Sequence, residues 1–142
     1  MDPMSKLDSQ WVGCLWVTLG GGLGSAARFL ASGWVARRFG ETFPWGTLLV
    51  NVSGSFVIGL FAALTATEGR WLVAPAGRQF FMIGVLGGYT TFSSFSLQTL
   101  TLAQDGDWLR ASGNVAASVA GCLVAVWVGW LLGSQFNAAK GG

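Results

Sequence analysis

The sequence predicts an all-α integral membrane protein with four transmembrane helices, the third of them broken near its middle. Three observations carry that prediction. Of the 142 residues, 52% are hydrophobic and 10% are charged, a balance that does not suit a soluble domain. The apolar residues fall into four runs, each as long as the roughly 20 residues that cross a hydrocarbon core. Within the third run lies Gly84-Val-Leu-Gly-Gly-Tyr-Thr-Thr-Phe-Ser-Ser-Phe-Ser96, which is built to interrupt a helix. Gly87 and Gly88 carry a high helix cost, and Thr90, Thr91, Ser93, Ser94 and Ser96 offer hydroxyls that compete for backbone hydrogen bonds.

By length, residues 1–142 form a single membrane domain. Residues 1–10 are polar and read as a loose tail. The run that follows is too long for a signal peptide, and no A-x-A cleavage pattern succeeds it. The four spans are expected at 11–36, 46–66, 79–103 and 112–134. Arg37, Arg38, Glu41 and Pro44 make the first connection. Glu68, Gly69, Arg70 and Pro75 to Arg78 make the second, and Asp105 to Arg110 the third. Trp45, Trp71 and Trp108 stand at run ends, where interfacial anchors belong. No internal repeat is evident.

Four spans place both termini on one side of the membrane. That side holds four basic residues (Lys6, Arg70, Arg78 and Lys140) and the other holds three (Arg37, Arg38 and Arg110). The positive-inside rule needs an excess, and this balance supplies almost none. Such a chain is expected to insert both ways round, with two oppositely oriented copies as its assembly unit.

Polar residues form stripes inside the spans. Gly20, Gly24, Arg28 and Ser32 share one face of the first helix at spacing four. The glycine pair reads as close helix packing. Gly22-x-Gly24-x-x-Ala27 matches a dinucleotide fingerprint, but no soluble strand precedes it, so that reading is rejected. Arg28 has two open readings: its head snorkels to the interface, or its guanidinium draws anions into a vestibule. Thr47, Asn51, Ser55 and Gly59 repeat at spacing four in the second helix, and Asn114, Ser118 and Cys122 in the fourth. Asn51 either bonds a neighbouring helix or presents an amide N–H to an ion. Three such stripes require partners or a water- or ion-filled path. Phe92 and Phe95 lie three apart directly after the break. Their positive ring edges tolerate a small anion that the faces repel.

Composition excludes several functions. Histidine is absent, and Asp2, Asp8, Glu41, Glu68, Asp105 and Asp107 lie outside or at the ends of the apolar runs. Neither a proton-coupled pump with a membrane carboxylate nor a hydrolytic dyad is available, so an enzyme is not expected. A metal site of His, Asp or Glu ligands is equally hard to build. The net charge of +2 is too small to point to nucleic acid. Cys14 and Cys122 fall in apolar runs and read as small buried hydrophobes rather than a disulfide.

Gly87-Gly-Tyr-Thr-Thr-Phe-Ser-Ser-Phe-Ser96, with Gly46-Thr-Leu-Leu-Val-Asn51 upstream, resembles the small fluoride channels called Fluc or CrcB. The likeness covers essentially the whole chain. It implies an antiparallel dual-topology homodimer with two pores, each lined by both subunits, in the bacterial inner membrane. Fluoride would leave the cell passively through them. By resemblance, the backbone carbonyls of Gly87 and Thr90 from both subunits hold a structural Na+ at the dimer centre. Phe92 and Phe95 supply phenyl edges along the fluoride path, Asn51, Ser94 and Ser118 supply donors, Thr91 sits at the break, and Arg28 lies near the pore entrance. Three positions depart from the family pattern: Tyr89 replaces an aliphatic residue, Asn114 a tyrosine, and Cys122 a serine.

A pore selective for fluoride has to replace its tightly held water with close-fitting donors. Hydroxyls and an amide do this without a fixed countercharge that would trap the ion. Three rivals remain in view. A proton-coupled exporter needs a membrane carboxylate that this chain lacks. A scaffold subunit leaves the hydroxyl-rich break unexplained. A sodium-conducting channel lacks acidic residues along its spans to concentrate cations.

Overall fold

The computed structural model describes residues 3–67 and 69–139. Asp2, Glu68 and Lys140, and the side chains of Lys6 and Asp8, lie outside the described residues. The elements follow in the order α1 (Pro3–Phe39), α2 (Trp45–Leu64), α3 (Pro75–Arg78), a π-helical stretch π1 (Gln79–Leu86), α4 (Gly87–Tyr89), α5 (Phe92–Gln104) and α6 (Trp108–Ala138). Together they build four helical rods long and apolar enough to cross a membrane: Gln10–Phe39, Trp45–Leu64, Pro75–Gln104 and Trp108–Ala138.

Several boundaries differ from expectation: α1 runs on through Arg37 and Arg38, α6 already begins at Trp108, and two further stretches are helical for local reasons. Residues 3–10 are helical rather than a loose tail. Pro3 is tolerated in a first turn, and no Gly or Pro interrupts the chain before Gly13. Apolar runs mark where lipid begins, whereas a helix ends only where its backbone bonds stop. Pro75–Arg78 was expected in a connection and is instead a helical turn that starts the third rod, with proline in its first turn. The break stands directly before Phe92, as the sequence reading places it. Gly87–Tyr89 stays helical, and the chain leaves the helix at Thr90 and Thr91. Gly87 and Gly88 therefore do not break the rod. A Cβ on Gly88 would run into the Gly21 backbone, so its small size lets α4 lie close on α1.

The rods pair in two layers of contact. α1 packs along π1 and α4, and α2 packs along most of α6. The first pair meets through Gly20 and Gly24, which face the backbone of Phe80, Gly84 and Val85, as the glycine stripe predicts. The second meets through Gly59 against the Val126 carbonyl and Gly129 against the Phe56 carbonyl. α5 then lies against α6, joined by a tight turn in which Gly106 adopts φ 80°. Helix ends are capped by charge and hydrogen bonds. Arg78 donates to the carbonyl and hydroxyl of Thr65 at the end of α2, and Arg70 donates to the Phe136 carbonyl near the end of α6. Asp107 caps α6 by accepting from Arg110 N at 3.1 Å and also pairs with its guanidinium at 2.8 Å.

Polar side chains share the interior with apolar ones, and large apolar side chains cover the outside. Thr47, Asn51, Thr65, Thr91, Asn114 and Ser118 are buried, while Trp11, Leu19, Phe29, Trp34, Leu123 and Trp127 face outward. That arrangement suits lipid or another apolar chain as the surroundings. Cys14 is exposed and Cys122 is only partly buried, rather than both being buried; both thiols are free. Trp45 and Trp108 begin α2 and α6, and Trp71 lies in the connection after α2, so all three stand at rod ends. Gly129→Val should destabilise the α2–α6 pair by about 3 kcal/mol or more, because the new methyl groups meet backbone that cannot yield. Thermal unfolding in detergent would register this as a lowered midpoint.

Candidate functional site

Two residues in extended conformation separate α4 from α5: Thr90 at φ −84°, ψ 159° and Thr91 at φ −154°, ψ 112°. Extended backbone at membrane depth strands peptide groups that a helix would have paired. Side chains from two other rods satisfy them. Asn51 on α2 reads the Thr91 peptide groups with both ends of its amide. Its Nδ2 donates to Thr91 O at 3.0 Å, and its Oδ1 accepts from Thr91 N at 2.7 Å. Arg28 on α1 donates through Nη1 to Thr90 O at 3.2 Å.

The threonines themselves finish the break. Thr90 Oγ1 turns back to donate to Leu86 O at 3.0 Å, closing the end of the first half-helix. Thr91 caps the second: its Oγ1 accepts from Ser94 N at 3.2 Å and donates to Ser94 Oγ at 3.0 Å. Because Thr91 N is taken by Asn51, it does not close onto Gly87 O four residues back. Among the described residues no donor reaches that carbonyl.

The break lies between two cavities, and Thr91 lines both. The larger, about 940 Å³, opens on the side of the α1–α2 and α5–α6 connections; Arg28, Thr47, Ser94 and Gln98 are in its wall. The smaller, about 450 Å³, is walled by Asn51, Phe92, Phe95, Ser118 and Cys122, with Gly87 and Thr90 at its edge. Every residue named from sequence as a site candidate therefore borders one of two adjoining spaces. Phe92 and Phe95 stand with ring centroids 5.2 Å apart and planes tilted by 52°. Phe95 is 7% exposed, whereas Phe92 is 76% exposed on the single chain. Among the described residues, no group of three His, Cys, Asp or Glu side chains is placed to hold a metal ion.

The family model described as "CrcB-like protein, Camphor Resistance (CrcB)" matches residues 15–130. The chain belongs to this family. Among its relatives, the fluoride-specific ion channel FluC of Opitutus terrae is 64% identical over 127 residues, covering 89% of this chain and 96% of that one. The protein of the same name from Methylocella silvestris is 55% identical over 127 residues, covering 89% and 97%. That of Rhodospirillum rubrum is 59% identical over 115 residues, covering 81% and 89%.

The three residues that depart from the expected CrcB pattern sit differently. Tyr89 borders neither cavity; its hydroxyl lies 3.1 Å from Ser53 Oγ and its ring covers Gly54, so it ties α4 to α2. Asn114 is 1% exposed and borders neither cavity. Cys122 alone of the three lines the smaller cavity. Two wall residues escaped the sequence reading. Ser25 donates to Gly88 O at 3.5 Å, and Gln98 carries a buried Oε1 with no partner among the described residues. Ser94, Gln98 and Thr101 recur at helical spacing along α5, a polar stripe that points to the second of these. Asn51→Leu should cost about 1–3 kcal/mol by leaving the Thr91 peptide groups unpaired. Asn51→Asp keeps the acceptor but sets a buried carboxylate oxygen against Thr91 O, so it should cost at least as much as Asn51→Leu in unfolding titrations in detergent.

Proposed function

We propose that this chain is a passive, selective fluoride channel acting as an antiparallel pair of identical chains, with two pores, in the bacterial inner membrane. One observation carries the reading. Asn51, Thr91, Phe92, Phe95 and Ser118 converge on a single cavity inside a chain whose CrcB-family relatives are named fluoride-specific channels. The wall offers amide and hydroxyl donors and ring edges but no carboxylate, a donor set that replaces fluoride's water without adding negative charge. Asn51 keeps one amide hydrogen beyond the one given to Thr91 O, and that second hydrogen is the donor assigned to the anion. Ser94 and Arg28 serve the larger cavity, whose wall also holds Arg110 and the carboxylates of Glu41, Asp105 and Asp107. The guanidinium hydrogen-bonded at the break, however, is that of Arg28, which draws anions to that end. Fluoride then moves down its own gradient out of the cytoplasm.

The pairing reading is supported by charge and by surface. The near balance of basic residues between the two sides removes the usual cue for a single orientation. Phe92, a wall residue of the smaller cavity, stands largely bare on one chain, so that wall is incomplete without a second copy. A structural Na+ fits the same arrangement. Gly87 O has no donor among the described residues, and Thr90 O has one from Arg28, which leaves a lone pair. Two carbonyl oxygens from each of two chains form a hard-oxygen set suited to such a cation. The bound ion would contribute positive charge where the two breaks meet.

The competing exporter reading needs a carboxylate within a span, and all six acidic residues lie at or beyond the span ends in sequence. Purified protein in liposomes loaded with potassium fluoride and chloride, with valinomycin to carry the balancing charge, decides between the readings. Rapid fluoride loss without chloride loss is the expected result. Loss of both ions would leave an unselective anion pore, and loss of neither from folded dimer would favour a scaffold. Phe92→Ile and Asn51→Asp should each lower fluoride flux about tenfold or more while the dimer persists, the second by setting a fixed negative charge beside the path. Normal efflux from either variant would remove that residue from the pathway. Single-cysteine labelling from each side should find both orientations in equal measure.

A further inference from the structure

A chain of three hydrogen bonds links α6 to α5 behind the wall of the smaller cavity. Thr99 Oγ1 donates to Phe95 O at 2.8 Å, Asn114 Nδ2 donates to Thr99 Oγ1 at 2.8 Å, and Ser118 Oγ donates to Asn114 Oδ1 at 3.4 Å. The direction of each bond follows from the first. A carbonyl can only accept, so the single Thr99 hydroxyl proton goes to Phe95 O. Thr99 Oγ1 is then left with lone pairs alone, and the Asn114 atom facing it has to be the N–H end. The other end, facing Ser118, is therefore the carbonyl oxygen, and Ser118 has to be the donor. With its one proton aimed at Asn114, Ser118 turns lone pairs toward the cavity.

We propose that Asn114 is a positioning residue that sets the resting direction of the Ser118 hydroxyl, and so controls how readily Ser118 serves fluoride. The proposal rests on the reading that Ser118 borders the fluoride path. An anion needs the proton that Asn114 holds. At 3.4 Å the bond is long for O–H···O, so the proton is directed rather than locked. Turning it to an ion leaves Asn114 Oδ1 unpaired in a site where the residue is 1% exposed. Ser118 is thus a donor released on ion arrival, and Asn114, together with Thr99, determines the cost of that release.

Two substitutions lift the constraint by different routes. Asn114→Leu removes the acceptor at similar volume. Thr99→Val keeps the packing and removes the oxygen that orients the amide, so Asn114 can turn an N–H toward Ser118 and let it accept. The measurement is unitary fluoride current in planar bilayers at low fluoride, where ion capture limits the rate. It is independent of how many molecules fold, so a merely structural role would leave it unmoved. Both variants should raise that current about two- to fivefold, the scale of one weak hydrogen bond. In a Ser118→Ala background neither should change it. Thr99→Val with wild-type current, while Ser118→Ala is impaired, would overturn the role of Asn114 and leave the pathway intact. An equal gain with and without Ser118 would also overturn it. Wild-type current in Ser118→Ala alone would instead take Ser118 off the path, and the proposal with it.

Discussion

The double contact between Asn51 and the Thr91 backbone is the constraint on which the rest of this structure depends. A helix interrupted inside a membrane strands peptide groups in a medium that cannot hydrate them. One side-chain amide supplies both the donor and the acceptor that Thr91 needs, at 3.0 and 2.7 Å. It does so from a different rod, so the break exists only while α2 holds its position against the third rod. By intercepting the Thr91 N–H, Asn51 also frees the Gly87 carbonyl. One residue therefore opens the backbone on one side of the break and secures it on the other.

Everything placed around the break follows from keeping it open. Arg28 reaches it from α1, and the close approach of α1 to π1 and α4 depends on Gly20, Gly24 and Gly88 lacking side chains. The Gly59 and Gly129 contacts bring α2 near enough to α6 for Asn51 and Ser118 to border one cavity. Thr91 stands in the walls of both cavities and also caps α5, which directs the first turn bearing Phe92. Packing by small residues is thus what gives the polar groups their convergence. In a bilayer, where apolar surfaces gain little by leaving lipid, such close contact is the main source of cohesion between helices.

The fluoride reading and the Asn114 inference use hydrogen-bond direction in complementary ways. Most hydroxyls near the break, such as those of Thr90, Thr99 and Ser96, spend their protons on carbonyls of their own helix. Such groups have only acceptor character left. Donor capacity is scarce in this wall, and it resides in the second hydrogen of Asn51, the Ser55 hydroxyl and the loosely held proton of Ser118. A selective anion path built from so few donors is sensitive to whatever orients them. Asn114 matters in that sense although it touches neither cavity.

Much of this was legible in the residues alone. Four apolar runs, their short charged connections and the hydroxyl-rich stretch in the third run follow from the length of a bilayer crossing and from local helix cost, and the family resemblance rests on the same stretch. Asn51, Phe92, Phe95 and Ser118 were legible as candidates because polar and aromatic groups stand out in apolar surroundings. Other features were decided only by tertiary structure. Gly87 and Gly88 stay helical despite their helix cost, because α1 lies close on Gly88 while Asn51 and Arg28 take up the peptide groups of Thr91 and Thr90. The helical Pro75 turn and the helical residues before Gln10 went unseen because hydropathy records lipid contact and not backbone bonding. Gln98 and the direction of the Ser118 proton were out of reach for a related reason. A side chain's polarity is local, but which partner takes its hydrogen bond depends on what the fold sets beside it.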